Sequence, residues 1–180
     1  MMKYYAGIGS RKAPQEVLDT LRSYGSQLCA KEYILRSGRC EGPDTFFEIG
    51  CNEYCEKNDV DRYAMKEIFE EDGENRQWAT DCLLSVMPTD RSNFDSWRPY
   101  VKSLLRRNMM QVLGEDGQTP VDFVLCWAPS LKYSDSSSGG TGWAIRLALK
   151  HGIPVYNILD KEQQKAFEKQ YDIKDITRYL

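Results

Sequence analysis

Ser138-Gly139-Gly140-Thr141-Gly142 separates two apolar segments of different period. Before it runs Val121-Asp122-Phe123-Val124-Leu125-Cys126-Trp127, short, apolar and β-prone. After it, Trp143 to Lys150 is amphipathic, with Ile145, Leu147, Ala148 and Leu149 among its residues. His151-Gly152 stops that segment, and Ile153-Pro154-Val155-Tyr156-Asn157-Ile158 follows. The order is strand, glycine loop, helix, strand. In a β-α-β unit such a turn lets a ligand approach bare backbone N–H groups. The helix behind it adds partial positive charge, which favours phosphate or another anion. A glycine loop by itself can also be no more than a tight turn.

On the carboxyl side, Asp160 caps an expected last helix, Lys161 to Tyr171, and the tail 172–180 is expected to pack or to serve an interface. On the amino side, the connection from Ala128 to Ser138 is long, and Ser134-Asp135-Ser136-Ser137-Ser138 is small and polar, a segment expected to move without ligand. Further back, a helix is predicted from about Trp97-Arg98-Pro99 to Leu113, stopped by Gly114. It carries Val101, Leu104, Leu105, Met109, Val112 and Leu113 as its apolar side. Arg106-Arg107-Asn108 lies inside it, either as a wet face or with Arg107 or Asn108 turned toward the glycine edge; periodicity does not decide.

The first half of the chain repeats the strand–turn–helix order. Lys3 to Ile8 runs into Gly9-Ser10-Arg11, and Pro14 opens a helix with Val17, Leu18, Leu21, Tyr24 and Leu28 at helical spacing. Tyr33 to Ser37 runs into Gly38-Arg39-Cys40-Glu41-Gly42-Pro43-Asp44, and a helix continues through Phe46, Phe47, Ile49, Gly50 and Tyr54. A third strand is expected at Val60 to Met65. The acidic run Glu67 to Glu74 is expected to be a solvated loop or helix face, and residues from about 66 to 98 an elaboration, part of a lid or an oligomer contact. Glycine turns at successive strand ends gather along one edge of a doubly wound sheet, where ligands bind. The expected fold is α/β: a Rossmann-like, doubly wound, mostly parallel sheet with helices on both faces, in one domain over 1–180.

A length of 180 residues, 41% hydrophobic and 28% charged, suits one ordinary globular domain. The formal net charge of -3 argues against a broadly basic nucleic-acid face, while leaving room for a local groove. Of the six cysteines, Cys126 and Cys29 fall in apolar segments and read as core. Cys51 and Cys55 lie one helical turn apart, half a metal site, but no second such pair accompanies them and the single histidine is His151. No metal and no cofactor is expected. With no signal peptide or membrane span in view, the cytoplasm is the expected compartment.

Three motifs now stand in order. Ala6-Gly7-Ile8-Gly9-Ser10-Arg11 ends the first strand. Ser37-Gly38-Arg39-Cys40-Glu41-Gly42-Pro43-Asp44 ends the second and resembles the SGxxxGxD element of the DNA-processing protein A family. Gly139-Gly140-Thr141-Gly142-Trp143-Ala144 follows a late strand. The set, spanning about residues 3 to 158, resembles the SLOG superfamily, which unites that family with the lonely guy phosphoribohydrolases and the YspA-like proteins. Leu105-Arg106-Arg107-Asn108-Met109-Met110 and Cys126-Trp127-Ala128-Pro129 are similar to the small DNA-processing-A-like proteins of phages.

The resemblance implies a nucleotide-type ligand at the carboxyl edge of the strands. Gly9, Ser10 and Arg11 would flank it. Gly38, Gly42 and Asp44 would form a second wall, with Arg39 beside them. Gly139, Gly140, Thr141 and Gly142 would hold the phosphate, and Arg107 and Asn108 would close the site. Trp127 or Trp143 would stack on the base or ribose, or else pack in the core. The phosphoribohydrolases carry a catalytic glutamate in a GGxGTxxE pattern; here Arg146 stands at that place, where a cation would repel an oxocarbenium-like transition state. Of the remaining carboxylates Glu41, Asp44 and Glu48, the catalytic candidates are Glu41 and Asp44.

The expected function is binding of a nucleotide or ADP-ribose-like metabolite, as a sensor or sequestering protein in a homo-oligomer. One alternative is a hydrolase or transferase acting on the N-glycosidic bond of a nucleotide. The other is a recombination mediator binding single-stranded DNA, with Arg11, Arg36, Arg39, Arg106 and Arg107 clustered on it.

Overall fold

The structure, a computed structural model, describes residues 2–72 and 74–176. Strands β1 (Lys3–Gly9), β2 (Tyr33–Ser37), β3 (Lys66–Ile68), β4 (Phe123–Trp127) and β5 (Val155–Asn157) form one sheet in the order β3-β2-β1-β4-β5. Every pairing is parallel. Helices α1 (Gln15–Ala30), α2 (Pro43–Asn58), α3 (Gln77–Ser85), α4 (Pro99–Leu113), α5 (Thr141–Lys150) and α6 (Lys161–Tyr171) cover it.

The period-2 alternation of the strands separates the two cores. Ala6 and Ile8 of β1 and Val124 and Cys126 of β4 face α3, α4 and α5. Tyr5 of β1, Leu35 of β2, and Phe123, Leu125 and Trp127 of β4 face α1, α2 and α6. Both faces of the central strands are buried, which is why β4 reads as a continuous apolar run. The chain leaves β1 toward β2 on one side and returns through α4 to β4 on the other. Beside β1 the strand order therefore reverses, and a crevice opens at the strand carboxyl ends.

The third strand falls later than expected. Asp59 closes α2 in the left-handed region at φ 54°, and the Asp61 carboxylate accepts from Tyr63 N–H at 2.9 Å. That local Asx turn captures residues 61–64. The strand forms at Lys66–Ile68 instead, with Leu35 opposite Lys66. The sheet thus takes the first residues of the segment expected to be an elaboration.

The acidic run after β3 is not simply solvated. Asp72 is fully buried and receives Arg106 and Arg76, each at 2.7 Å. Burial alone would raise its pKa, but the two guanidiniums outweigh it and hold the carboxyl below its usual range. Glu67 pairs with the buried Arg36, which also lies 4.1 Å from the Tyr4 ring centroid. The Asp72–Arg106 pair fastens the elaboration to α4, and the Glu67–Arg36 pair joins β3 to β2. Of the tail, 177–180 lies outside the described residues. Among the described residues no helix is long and apolar enough to cross a membrane.

Candidate functional site

A cavity of about 340 Å³ opens at the crevice. Gly9, Ser10, Arg11 and Lys12 line it from the turn after β1, Cys40 and Asp44 from the turn after β2, and Gly140 and Thr141 from the start of α5. Val101, Leu104, Leu105, Arg107, Asn108 and Gln111 of α4 form the remaining side. Turns more than 130 residues apart in sequence converge because their strands are neighbours in a parallel sheet.

Asp44 joins the first two turns. It sits in the first turn of α2, behind Pro43, and is 3% exposed. Its Oδ1 accepts from Gly9 N–H at 3.2 Å, and its Oδ2 from Gly38 N–H at 3.0 Å and Gln111 Nε2 at 3.3 Å. Burial pushes its pKa up to about 6, against the pull of Arg107 and of these donors. Two glycines make the approach possible. A Cβ on Gly9 would lie 2.7 Å from Pro43 Cβ, and Gly42, before the helix, takes φ 96°.

Arg107 and Asn108 both turn to the glycine edge, on opposite sides. Arg107 donates to the carbonyls of Gly38 and Glu70 and approaches Cys40 Sγ at 3.2 Å. Its Nε meets Asn108 Oδ1 at 3.0 Å, which leaves Asn108 Nδ2 to donate to the Gly140 carbonyl at 3.1 Å. One arginine–asparagine pair therefore ties α4 to the turn after β2 and to the start of α5.

Gly140 caps α5 in a helical conformation, and Gly142 and Trp143 N–H fold back to Gly139 and Gly140. Those two N–H groups of the first turn are thereby engaged, and it is Gly140 and Thr141, at the positive end of the helix, that line the cavity. The serine segment before them, expected to move, is laced down. Ser136 donates to Asp90, Ser138 is fully buried against the carbonyls of Ser130 and Lys132, and Thr89 N–H reaches Ser134 O at 2.9 Å.

Arg146 holds the same segment from behind. It donates to the carbonyls of Val86, Tyr133 and Asp135 and lies 4.9 Å from the Trp143 ring centroid. Burial lowers its pKa to about 10. The residue at the glutamate position of the phosphoribohydrolase pattern is therefore a strut for the loop and not part of the cavity wall.

Of the residues singled out in the sequence, Gly9, Ser10, Arg11, Asp44, Arg107, Asn108, Gly140 and Thr141 meet around the cavity. Gly38 stands one layer back, under the Arg107 guanidinium. Arg39 and Glu41 are exposed outside the wall, Arg39 paired with Glu48 and Glu70. Gly42, Gly139 and Gly142 shape the turns without lining the space. Trp127 is buried in the α1–α6 core and Trp143 in the opposite one, where it packs edge-on against Trp97, so neither indole reaches the cavity. Of the five arginines expected to cluster, Arg36 and Arg106 are buried against Glu67 and Asp72, leaving Arg11 and Arg107 on the wall.

Lys12, Cys40 and Gln111 were not foreseen as site residues. Leu104, Arg107, Asn108 and Gln111 recur at helical spacing, and that mixed stripe marks the face turned to the edge. Asp44 is the one carboxylate among the lining residues, so the wall offers cations, amides and hydroxyls to an anion and not a carboxylate set for a hard metal ion.

No protein-family model and no curated relative matches the chain in sequence. Among solved structures, the fold is similar to that of DNA processing protein A from Helicobacter pylori, described for its single-stranded DNA binding mode. The TM-score is 0.53 at 15% identity, over 86% of this chain and 64% of that one. This likeness shows the fold, and the chain spans less than two thirds of that protein's length.

Proposed function

We propose that the cavity binds the phosphate of a nucleotide. The observation that carries this is the meeting of the α5 start, Gly140–Thr141, with the Ser10–Arg11 turn across one cavity. A helix N-terminus favours an anion, and Arg11, Lys12 and Arg107 supply positive charge around it. Ser10 and Thr141 add hydroxyl donors. Val101, Leu104 and Leu105 give the ribose or base an apolar side, in a volume suited to one small ligand. A nucleoside phosphate or an ADP-ribose-like compound fits this chemistry, and the three glycine turns agree with the SLOG pattern.

The role is binding, as a sensor or sequestering protein, and not bond cleavage. Both oxygens of Asp44 are engaged by N–H donors, and Arg146 faces the loop. Calorimetric titration with nucleoside monophosphates and ADP-ribose, followed by product analysis of the mixtures, tests both parts. Binding without new products is expected. Products that disappear in Asp44→Asn would replace this reading with a hydrolase.

A second reading is that the nucleotide belongs to a single DNA strand. The DNA processing protein A fold likeness favours it, as does Tyr100, which is 63% exposed beside the wall residue Val101 and offers a stacking surface. With Arg36 and Arg106 committed to ion pairs, few phosphates would be neutralised. Binding of an oligodeoxythymidine should then fall with salt at a shallow slope, about 0.7 per phosphate contacted.

A further inference from the structure

Helices α1 and α2 cross unusually closely. A Cβ on Gly25 would lie 2.6 Å from the Phe47 carbonyl, and one on Gly50 would collide with the carbonyl of Arg22. The crossing sets Cys29, one turn beyond Gly25, over Cys51 and Cys55, one turn apart on α2. The Sγ atoms of Cys29 and Cys51 are 3.3 Å apart, those of Cys29 and Cys55 3.5 Å, and all three lie within 4.8 Å of one another. Each residue is at most 2% exposed. Tyr54 and Met65 pack over the group as its partly buried surround. The pair that looked like half a site in the sequence is joined by a third thiol from another helix.

We propose that Cys29, Cys51 and Cys55 form a three-thiolate site for a soft cation, Cu(I). A metal–sulfur bond of about 2.3 Å sets three sulfurs about 4 Å apart, so the Cys29–Cys51 and Cys29–Cys55 separations need to open by only about 0.5 to 0.7 Å. Structural zinc sites take four ligands, and among the described residues no fourth cysteine, histidine or carboxylate joins this group. The Met65 carbonyl lies 3.8 Å from Cys51 Sγ and is a poor partner for so soft an ion. An all-sulfur, closed set selects Cu(I). Each ligating thiol gives its proton to solvent, and the ion enters and remains as Cu(I). A bound ion would lock the far halves of α1 and α2 together.

The test is anaerobic titration of the full chain with Cu(I) in competition with a chromogenic Cu(I) chelator. One ion per chain should leave the chelator, with thiolate-to-copper charge transfer in the ultraviolet and three sulfur neighbours by X-ray absorption. Cys51→Ser and Cys51→Ala should each weaken binding by more than roughly 100-fold, while Cys82→Ser, outside the cluster, leaves it unchanged. Equal affinity in the wild type and Cys51→Ala overturns the proposal, as does no withdrawal of copper.

Discussion

The Arg107 guanidinium lies flat against Gly38: it donates to the Gly38 carbonyl, and a Cβ on Gly38 would sit 2.6 Å from Arg107 Cζ. The bare glycine is what lets helix α4 close over the turn after β2. Gly38→Ala should displace the guanidinium and cost about 1–3 kcal/mol, the range for overpacking a closed site. Gly140 differs, since it is helical and a Cβ there meets only Asn108 Nδ2, at 3.9 Å. Gly140→Ala should leave the urea midpoint nearly unchanged and weaken ligand binding, because the methyl narrows the phosphate approach. Urea unfolding and calorimetry on the two variants separate these effects.

Arg107→Ala strips the buried carbonyls of Gly38 and Glu70 of their donor, with an expected cost of about 2–4 kcal/mol. Asn108→Ala removes the bond to Gly140 and should cost about 1 kcal/mol. Both should lower nucleotide affinity. Arg107→Lys keeps the charge without the fork and should recover little of either loss.

Asp44 gives the protein a pH signature. Its folded pKa of about 6 lies above the unfolded value near 3.9, so the folded state holds the proton more tightly. The stabilisation from that proton is complete below about pH 4 and is lost as pH rises through 6. The loss is on the order of 2–3 kcal/mol at neutral pH. Asp44→Asn cannot titrate and also turns an amide toward one of the backbone donors. The stability difference between wild type and Asp44→Asn should therefore change across pH 4 to 7; parallel urea curves over that range would contradict the assignment.

Arg146→Glu places the phosphoribohydrolase residue type at its expected position. The account of Arg146 as a strut leads to the opposite of gained activity. Releasing the carbonyls of Val86, Tyr133 and Asp135 should cost about 2–4 kcal/mol and expose the 128–138 segment to proteases, with no cleavage of nucleoside monophosphates. Limited proteolysis and product analysis read both outcomes.

The fold was legible because strand and helix periods alternate cleanly and each glycine turn follows a strand. The strand at Lys66–Ile68 was not, because it has three residues and the Asp61 turn beside it competes for the chain. The glycine turns that border the candidate site were legible for the same reason as the fold. The direction of Arg107 was not, since Leu105 and Met109 flank it on both sides and only the packed helix fixes its rotation. Asp72 and the three cysteines were hidden for a common reason. Their meaning depends on partners brought by helix packing, Arg106 on α4 in one case and Cys29 on α1 in the other. Trp127 was open to stacking beside the edge or to core packing, and strand alternation turns it into the α1–α6 core.

The most direct measurement compares, by calorimetry at neutral pH, a nucleoside 5′-monophosphate with its parent nucleoside on wild type and Arg11→Ala. The expected result is monophosphate binding at least about tenfold tighter than nucleoside, a gap of about 1.4 kcal/mol, that shrinks in Arg11→Ala. Equal affinity for the two compounds, or a gap untouched by Arg11→Ala, would contradict a phosphate site at this edge.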